Sequence, residues 1–456
     1  MRSAVFVLAC ASLHAQWDRF RGPNGSGVSK EENLPAEFGP AKNVAWKVAV
    51  PFGRSSPVAA GGRIFLTAVD GGKLTTLAWD AASGRELWRR VLPRMREQPV
   101  YKANDAASPT PAAGPDAVYV FFPDSGLAAY SFDGKELWRH PLGPFDSFYG
   151  IASSPVFAGG SVYLLCEQAS DSFLLAVDAK TGRQRWKTAR PGGLDGWSSP
   201  VVHGERLLIF GTTRMEAFFL ATGERDWWIP ISSNGSLGTP VIFGETVIVA
   251  ASGSDQPWMP TWDATLAKLD KNRDGRLSHE ECKDEKDWFE HFGWVDSNHD
   301  RFLSGAEWNA ARSLGAGEYG LLAIALGGKG RLPESAVRWR VKRGVPYVPA
   351  PLAYEGAIFM IKDGGLFTAL DPATGAAVKQ GRAPGAGGQY LASPVAADGK
   401  VYTVSEEGKF TVWKAGSWEP LASNDMGEEC HATPAIANGR IFVRTRSSLY
   451  AFQARR

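Results

Sequence analysis

The chain has 456 residues, of which 44% are hydrophobic and 21% are charged, a composition that suits a folded, sheet-rich protein. Its 50 basic residues against 48 acidic residues leave a formal net charge of +2. That balance provides no field that would attract nucleic acid or an anionic membrane, so we expect no nucleic-acid partner.

The first segment, residues 1–15, has one arginine followed by an apolar run that is too short to span a bilayer. It is typical of an export signal cleaved near Ala15, although Leu13 is larger than the small residue preferred there. Lipid attachment at Cys10 is the alternative. No other stretch is apolar enough for a transmembrane segment, so we expect a periplasmic or secreted protein.

Two short elements follow the predicted signal. Residues 16–42 are rich in glycine, proline and polar residues, which predicts an arm that lies on the surface of the main domain. Residues 43–50, NVAWKVAV, have the pattern of a strand that carries a single tryptophan, Trp46.

From residue 57 onward one pattern of short strands recurs, and its clearest copy is SSPVFAGGSVYLLCEQASDSFLLAVDAKTGRQRW at residues 153–186. Runs of β-branched and aromatic residues alternate there with Gly-Gly and Asp-x-x-Thr-Gly turns, which predicts a small antiparallel sheet. Apolar residues recur at the seventh and eighth positions after eight prolines. These are Pro57, Pro111, Pro155, Pro200, Pro240, Pro351, Pro394 and Pro434. A period of roughly 40 to 45 residues made of short strands predicts the blades of a β-propeller.

The two ends of the chain are predicted to meet. The last copy ends at residues 447–452, SSLYAF, and has no closing tryptophan of its own, whereas residues 43–50 carry Trp46. We therefore expect the N-terminal strand to complete the last blade, which leaves no free sheet edge. The predicted fold is an all-β, eight-bladed propeller, and we expect it to be monomeric.

The motifs SSPVxxGGxVY and LDxxTGxxxW, with the opening WDRFRGPNGSG at Trp17, resemble the PQQ-like eight-bladed propeller proteins of bacterial envelopes. That superfamily includes quinoprotein dehydrogenases and the outer-membrane assembly factor of the BamB type. The resemblance covers nearly the whole chain, but its motifs are architectural: they specify blades and not chemistry.

One interval breaks the repeat, because Pro240 and Pro351 are separated by more than twice the usual spacing. The second strand of the fifth blade ends near Ala251, and strands resume with GLLAIAL at Gly320. We therefore predict an inserted domain at residues 252–318, within a propeller formed by residues 43–251 and 319–456.

The insertion contains DKNRDGRLSHEE at residues 270–281, which fits the EF-hand calcium loop at every diagnostic position. Calcium takes hard oxygen ligands, so acidic and amide side chains at alternate positions are what the ion requires. Gly275 permits the sharp turn at position six. The expected ligands are the side chains of Asp270, Asn272, Asp274, Ser278 and Glu281 and the carbonyl of Arg276.

A second copy, DSNHDRFLSGAE, follows at residues 296–307, but Arg301 stands where glycine is expected. A backbone with positive φ costs a non-glycine residue roughly 1 kcal/mol, so we expect this site to bind calcium more weakly. Leu277 and Leu303 are expected to pair between the loops, with short helices around them. The expected ligands are the side chains of Asp296, Asn298, Asp300, Ser304 and Glu307 and the carbonyl of Phe302.

The hairpin that holds the insertion lies on the same face of a propeller as the connections between blades, so the insertion is expected to overhang that face. The lining of the space beneath it is expected from residues 52–54, 101–104, 148–149, 194–197, 389–390 and 428–431. The last of these segments includes the polar cluster Glu428, Glu429, Cys430 and His431, for which a hydrated loop and a ligand-binding role both stay open.

Two functional classes remain. The first is a calcium-stabilised binding or scaffold module with a protein or other envelope partner. The second, a PQQ-dependent oxidoreductase, is implied by the resemblance and would hold a quinone and calcium in the central funnel. The chain has neither the adjacent cysteine pair of many alcohol-oxidising quinoproteins nor a Cys-x-x-Cys-His haem motif. We therefore favour the binding module over an enzyme and do not expect bound PQQ.

Overall fold

A computed structural model describes residues 17–98, 100–102, 104–191, 194–314 and 318–454. The predicted signal segment with Cys10 lies outside these residues, and the division of the chain into domains stays a prediction. The strands form eight main sheets, which confirms the eight-bladed propeller. In the first four blades the strands are Val58–Ala60, Arg63–Asp70, Lys73–Asp80 and Glu86–Leu92; Ala112–Ala113, Ala117–Phe122, Gly126–Ser131 and Glu136–Pro141; Val156–Ala158, Ser161–Cys166, Phe173–Asp178 and Gln184–Ala189; and Val201–His203, Arg206–Phe210, Arg214–Phe219 and Arg225–Pro230.

The other four blades repeat this antiparallel order, and the outer strand of blade four also pairs in parallel with Gly330–Arg331. The strands of blades five to eight are Val241–Phe243, Thr246–Ala251, Gly320–Ala325 and Val337–Val341; Leu352–Tyr354, Ala357–Lys362, Leu366–Leu370 and Ala377–Arg382; Val395–Ala397, Lys400–Val404, Lys409–Lys414 and Pro420–Asp425; and Ala435–Ala437, Arg440–Arg444, Ser448–Phe452 and Val44–Ala49.

The last strand in this order closes the ring as predicted. Val44–Ala49 pairs antiparallel with Ser448–Phe452, and Trp46 lies opposite Ala451. The indole Nε1 of Trp46 then donates to the carbonyl of Ala81 in blade one, 3.1 Å away. The two ends of the chain are thus joined within one sheet, which removes its free edge.

The tryptophan near the end of a blade packs on a turn of the following blade. The turn has a glycine at the point of contact, because a Cβ there would collide with the indole ring. A Cβ on Gly182, whose φ is 68°, would lie 2.6 Å from the Trp138 indole. The same indole donates to the carbonyl of Ala179 at 2.9 Å. Equivalent contacts join Trp46 to Gly84, Trp88 to Gly134, Trp186 to Gly223 and Trp339 to Gly375. Each pair therefore fixes one blade against the next.

The Ser/Thr-Pro start of most blades forms a second set of links, around the axis. In each link a buried backbone N–H donates to the hydroxyl that starts the next blade, over 2.9–3.1 Å. The bonds run from Ser56 to Thr110, Thr110 to Ser154, Ser154 to Ser199, Ala350 to Ser393, Ser393 to Thr433 and Thr433 to Ser56. Blade six starts with Ala350, which has no hydroxyl to offer.

The N-terminal arm runs along the innermost strands of the propeller. It contacts the ends of these strands that point away from the insertion. It includes the 3₁₀ turn Pro23–Gly25. Trp17 forms a bridge with Ala59 of blade one, and Val28 forms one with Ala396 of blade seven. The side chain of Arg21 is fully buried and donates to the carbonyl of Pro351 at 2.6 Å.

The chain between the second and third strands of blade five forms four short helices: α1, Trp262–Leu269; α2, Lys286–Glu290; α3, Phe292–Val295; and α4, Gly305–Ser313. A two-stranded ribbon, Leu277–Ser278 with Phe302–Leu303, confirms the predicted pairing of Leu277 with Leu303. These elements enclose a small core of their own around the fully buried Trp308. None of the helices in the described part of the chain is long and apolar enough to cross a membrane.

Candidate functional site

A cavity of about 610 Å³ lies on the propeller axis beneath the insertion. Its side wall comes from the segments that join the blades and includes the hydroxyls of Ser56, Thr110 and Thr433. Trp258, His291 and Trp294 of the insertion line it from above. Phe20 lines it from the side of the N-terminal arm. The cavity is therefore bounded by both additions to the propeller, at opposite ends of the axis.

Each segment predicted to line this space contributes to it, which confirms the predicted face. The contributing residues are Arg54, Tyr101, Asn104, Tyr149, Leu194, Asp195, Trp197, Gln389, Tyr390 and His431. No pattern in the sequence indicated that Phe20 or Tyr347 would line the cavity. Both lie in segments of low periodicity, so only the path of the chain brings them to the axis.

Aromatic rings form much of one side of the cavity. Tyr149 packs edge-on against Trp197 with ring centroids 5.5 Å apart and against Tyr101 at 5.2 Å. The indole of Trp197 is fixed by a hydrogen bond from its Nε1 to the carbonyl of Gly150, 2.7 Å away. His291 of the insertion lies 6.1 Å from both Tyr101 and Tyr149. These rings therefore give one side of the cavity an aromatic surface that a bound ligand could contact.

Arg54 is the one lysine or arginine among the described lining residues, and its charge is already engaged. Its Nε lies 3.8 Å from a carboxylate oxygen of Asp105, and it donates to the carbonyl of Lys102 at 3.0 Å. Its other terminal nitrogen contacts Nδ1 of His431. Burial, and then the charge of Arg54, lower the pKa of His431, so the imidazole is held neutral.

Of the polar cluster at residues 428–431, only His431 lines the cavity. The Glu428 carboxylate accepts hydrogen bonds from Thr445 and Ser447, and Glu429 pairs with Arg446 at 3.0 Å. Burial raises the pKa of the Cys430 thiol to about 12, so it is protonated at neutral pH. Glu428, Glu429 and Cys430 therefore have structural partners or burial of their own.

Asp195 differs from these groups because it is buried without a cation. The residue is 6% exposed, and the Ser147 hydroxyl is near its carboxylate, although no hydrogen bond within 3.5 Å from the described residues reaches Oδ1. Burial raises its pKa to about 7; the Ser147 side chain acts against this by lowering the pKa, and the charges of Asp146 and Glu167 raise it by less. The backbone at Asp195 is held in place, since its carbonyl accepts from Thr212 Oγ1 at 2.7 Å.

Specific contacts hold the insertion over the cavity. His299 Nε2 lies 2.7 Å from Oδ1 of Asp146, which is in the segment between blades two and three. Phe148 of the same segment packs on His291 with ring centroids 6.4 Å apart. On the other side, Lys342 Nζ pairs with Asp255 at 2.5 Å. The cover is therefore fastened to the propeller at more than one point.

The two predicted calcium loops have matching hydrogen-bond networks. In the first loop, the Asp270 carboxylate accepts from the amides of Arg273 and Gly275, and Asn272 Oδ1 and Asp274 Oδ1 accept from the amides of Asp274 and Arg276. In the second loop, Asp296, Asn298 and Asp300 accept from the amides of Arg301, Asp300 and Phe302. Glu281 and Glu307 accept from Ser278 and Ser304, so both twelfth positions are oriented alike.

The glycine position behaves as the pattern predicts, because φ is 80° at Gly275 and 71° at Arg301. Arg301 therefore has the left-handed backbone that favours glycine. In the described part of the chain, no three His, Cys, Asp or Glu side chains come close enough together to hold a metal ion. The carboxylates of Asp270 and Asp296 accept hydrogen bonds from backbone amides. Calcium binding at these loops stays a prediction.

A family model described as outer membrane protein assembly factor BamB matches residues 39–200, 146–268 and 369–455, which is more than half of the chain. Among curated proteins, a polyvinylalcohol dehydrogenase from Pseudomonas sp is 23% identical over 238 residues. That match covers 43% of this chain but only 36% of the dehydrogenase, so the alignment spans about a third of that relative.

Similar solved structures include both kinds of propeller. BamB from Moraxella catarrhalis is 11% identical, with a TM-score of 0.57, and the match covers 90% of this chain and 97% of that one. A europium-containing methanol dehydrogenase is 10% identical, with a TM-score of 0.64 and coverage of 96% and 98%. A quinohemoprotein alcohol dehydrogenase from Comamonas testosteroni is 13% identical, with a TM-score of 0.61 and coverage of 96% and 80%. At these identities the likeness shows the fold alone.

Proposed function

Because the chain belongs to the family described as outer membrane protein assembly factor BamB, we propose that it is an exported β-propeller that acts as a binding module in the cell envelope. The family description supports an envelope location, and so does the signal pattern of residues 1–15. In this proposal the insertion binds calcium, and the binding site for a small ligand is the axial cavity beneath it.

The axial cavity carries the proposal. Its volume of about 610 Å³ is within the range of small-molecule sites, which are mostly apolar and hold a few placed polar groups. Aromatic side chains such as Tyr149 and Trp197 supply the apolar wall, and Asp195 and Asn104 supply polar groups. A cover fastened across the mouth would exclude water from a bound ligand.

A neutral fluorescent probe tests whether the cavity binds anything at all. We expect N-phenyl-1-naphthylamine to bind with a rise in fluorescence, since the site is apolar and the probe has no charge. Ala152→Trp, at a half-buried lining residue, should abolish the rise by filling the cavity. Ala377→Trp, at an exposed residue of blade six, is the matched control and should leave it unchanged. Equal probe binding by all three proteins would refute the proposed site.

Calcium binding rests on the two loops and has its own test. Bound calcium would be held by carboxylate and amide side chains such as Asp270 and Asn272, with Glu281 as a bidentate ligand. Asp270→Ala combined with Glu281→Ala should lower calcium affinity at the first loop by on the order of a hundredfold, because it removes the charged ligands. Asp287→Ala removes an exposed charge on α2 and should leave affinity unchanged. Unchanged affinity and thermal stability in the double variant would mean that the loop assignment is wrong.

The second candidate is a PQQ-dependent oxidoreductase, which the match to polyvinylalcohol dehydrogenase and the aromatic cavity favour. A bound quinone would supply a two-electron oxidant, and rings such as Trp197 could pack on its flat face. Its carboxylates, however, need cations, and Arg54 is already engaged with Asp105 and His431. The described residues therefore do not fit the quinone well. Incubation with PQQ and calcium, followed by absorbance and dye reduction, tests this candidate; quinone uptake with dye reduction would establish the enzyme, and no uptake would end it.

A further inference from the structure

On the basis of the binding function proposed above, we infer that the ligand of the axial cavity carries an ammonium group, which pairs with Asp195 beside the aromatic wall. A buried carboxylate without a partner is costly, and proteins pair such charges. Asp195 makes no ion pair within the described residues, and it is one of the residues that line the cavity. An ammonium group on the ligand would supply the missing positive charge.

The other charges of the lining leave this negative charge uncompensated. Arg54 faces Asp105, with 3.8 Å between its Nε and a carboxylate oxygen, and it makes no ion pair with Asp195. His431 is half-buried beside Arg54, and its burial and the charge of Arg54 lower the pKa of its imidazole. The remaining carboxylate, Asp363, is exposed, and its Oδ1 accepts from the amide of Tyr390 at 2.7 Å. Asp195 is therefore the lining group that both needs a counter-ion and is shielded from water.

The aromatic wall favours the same ligand chemistry. Ring faces are electron-rich and attract cations within about 6 Å of the ring centroid. Trp197 is two residues from Asp195, and its ring packs against Tyr149 at 5.5 Å, which in turn packs against Tyr101. A carboxylate beside a group of aromatic rings is the arrangement that suits an ammonium group on an apolar body. The cavity, lined from the arm side by Phe20 and from above by the insertion, suits a small organic cation.

Three probes of the same shape test the inference by calorimetry on the calcium-loaded protein at pH 8, where Asp195 is ionised. Phenethylammonium is the cation, phenethyl alcohol the neutral analogue and 3-phenylpropionate the anion. We expect the cation to bind at least about tenfold more tightly than either analogue. Asp195→Asn should remove this preference and leave the affinity for the alcohol unchanged. Asp116→Asn, at an exposed carboxylate outside the lining, is the matched control and should keep the preference.

A proton measurement separates pairing from a purely structural role of Asp195. At pH 6.5 a fraction of the wild-type carboxylates is protonated, so binding of the cation should release protons. Titrations in two buffers of different ionisation enthalpy measure that release, which should disappear in Asp195→Asn.

The outcomes distinguish this inference from the proposed function. If N-phenyl-1-naphthylamine binds but the alcohol binds as tightly as the cation, or if Asp195→Asn keeps the preference, the ammonium ligand is refuted and the binding cavity stands. If neither the neutral dye nor any of the three probes binds, the proposed function falls as well. If Asp195→Asn loses one equivalent of bound calcium, the carboxylate holds a metal ion and the inference is wrong.

Discussion

The hydroxyl that starts blade seven offers a sharp test of how the propeller is held together. Ser393 is buried, and its Oγ accepts the backbone N–H of Ala350 at 3.0 Å, while its own N–H donates to Thr433 Oγ1 at 3.0 Å. Ser393→Ala removes the acceptor and leaves the Ala350 N–H buried without a partner. An unsatisfied buried donor costs about 1–3 kcal/mol, so we expect the free energy of unfolding to fall by that amount.

Denaturant unfolding followed by fluorescence measures this change, as a shift of the midpoint at constant slope. Ser393→Thr should keep most of the stability, because the hydroxyls of Thr433 and Thr110 already accept the same bond in other blades. Ser417→Ala, at an exposed position, is the control and should stay within about 0.5 kcal/mol of wild type. The hydroxyl links would contribute nothing measurable if Ser393→Ala proved as stable as the control, and the blades would then be held by packing alone.

The remaining predictions concern the turns, the second loop and the cavity. Gly182→Ala should destabilise the protein by more than Gly159→Ala in thermal unfolding, because both glycines have positive φ but only the first would push a Cβ against Trp138; equal losses would contradict the packing argument. Arg301→Gly should raise stability by about 1 kcal/mol by relieving a φ of 71°, measured by denaturant unfolding, and no gain would mean that the strain is absorbed elsewhere. The pKa of Asp195 is raised when folded, so its charge should destabilise the protein increasingly as pH rises from about 4 to 7. Relative to Asp195→Asn, wild-type stability should therefore fall across that window and level off above it, and a flat difference would refute the raised pKa.

The eight-bladed architecture could be predicted from the sequence, because local patterns specify each blade of a propeller. In each blade, apolar runs mark the strands, and glycine and Asp-x-x-Thr-Gly mark the turns. Apolar residues stand at the same distances after Pro57 and Pro155, and this spacing aligns the repeats with one another. Closure by the strand with Trp46 could be predicted as well, since only that strand carries the tryptophan that the last blade lacks. The segments lining the cavity followed from topology, because the connections between blades share one face.

The fold was needed to show which residues of those segments line the cavity and which partners they have. Of two polar candidates, the cluster with Glu428 and Glu429 is satisfied by neighbouring hydroxyls and Arg446, whereas Asp195, which no motif singled out, is buried without a cation. Likewise, the need for glycine at position 182 comes from the packing of Trp138 of the preceding blade against it. Periodicity reports which way a residue points within its own strand, but pairing and desolvation depend on residues that are distant in sequence and adjacent only in the fold.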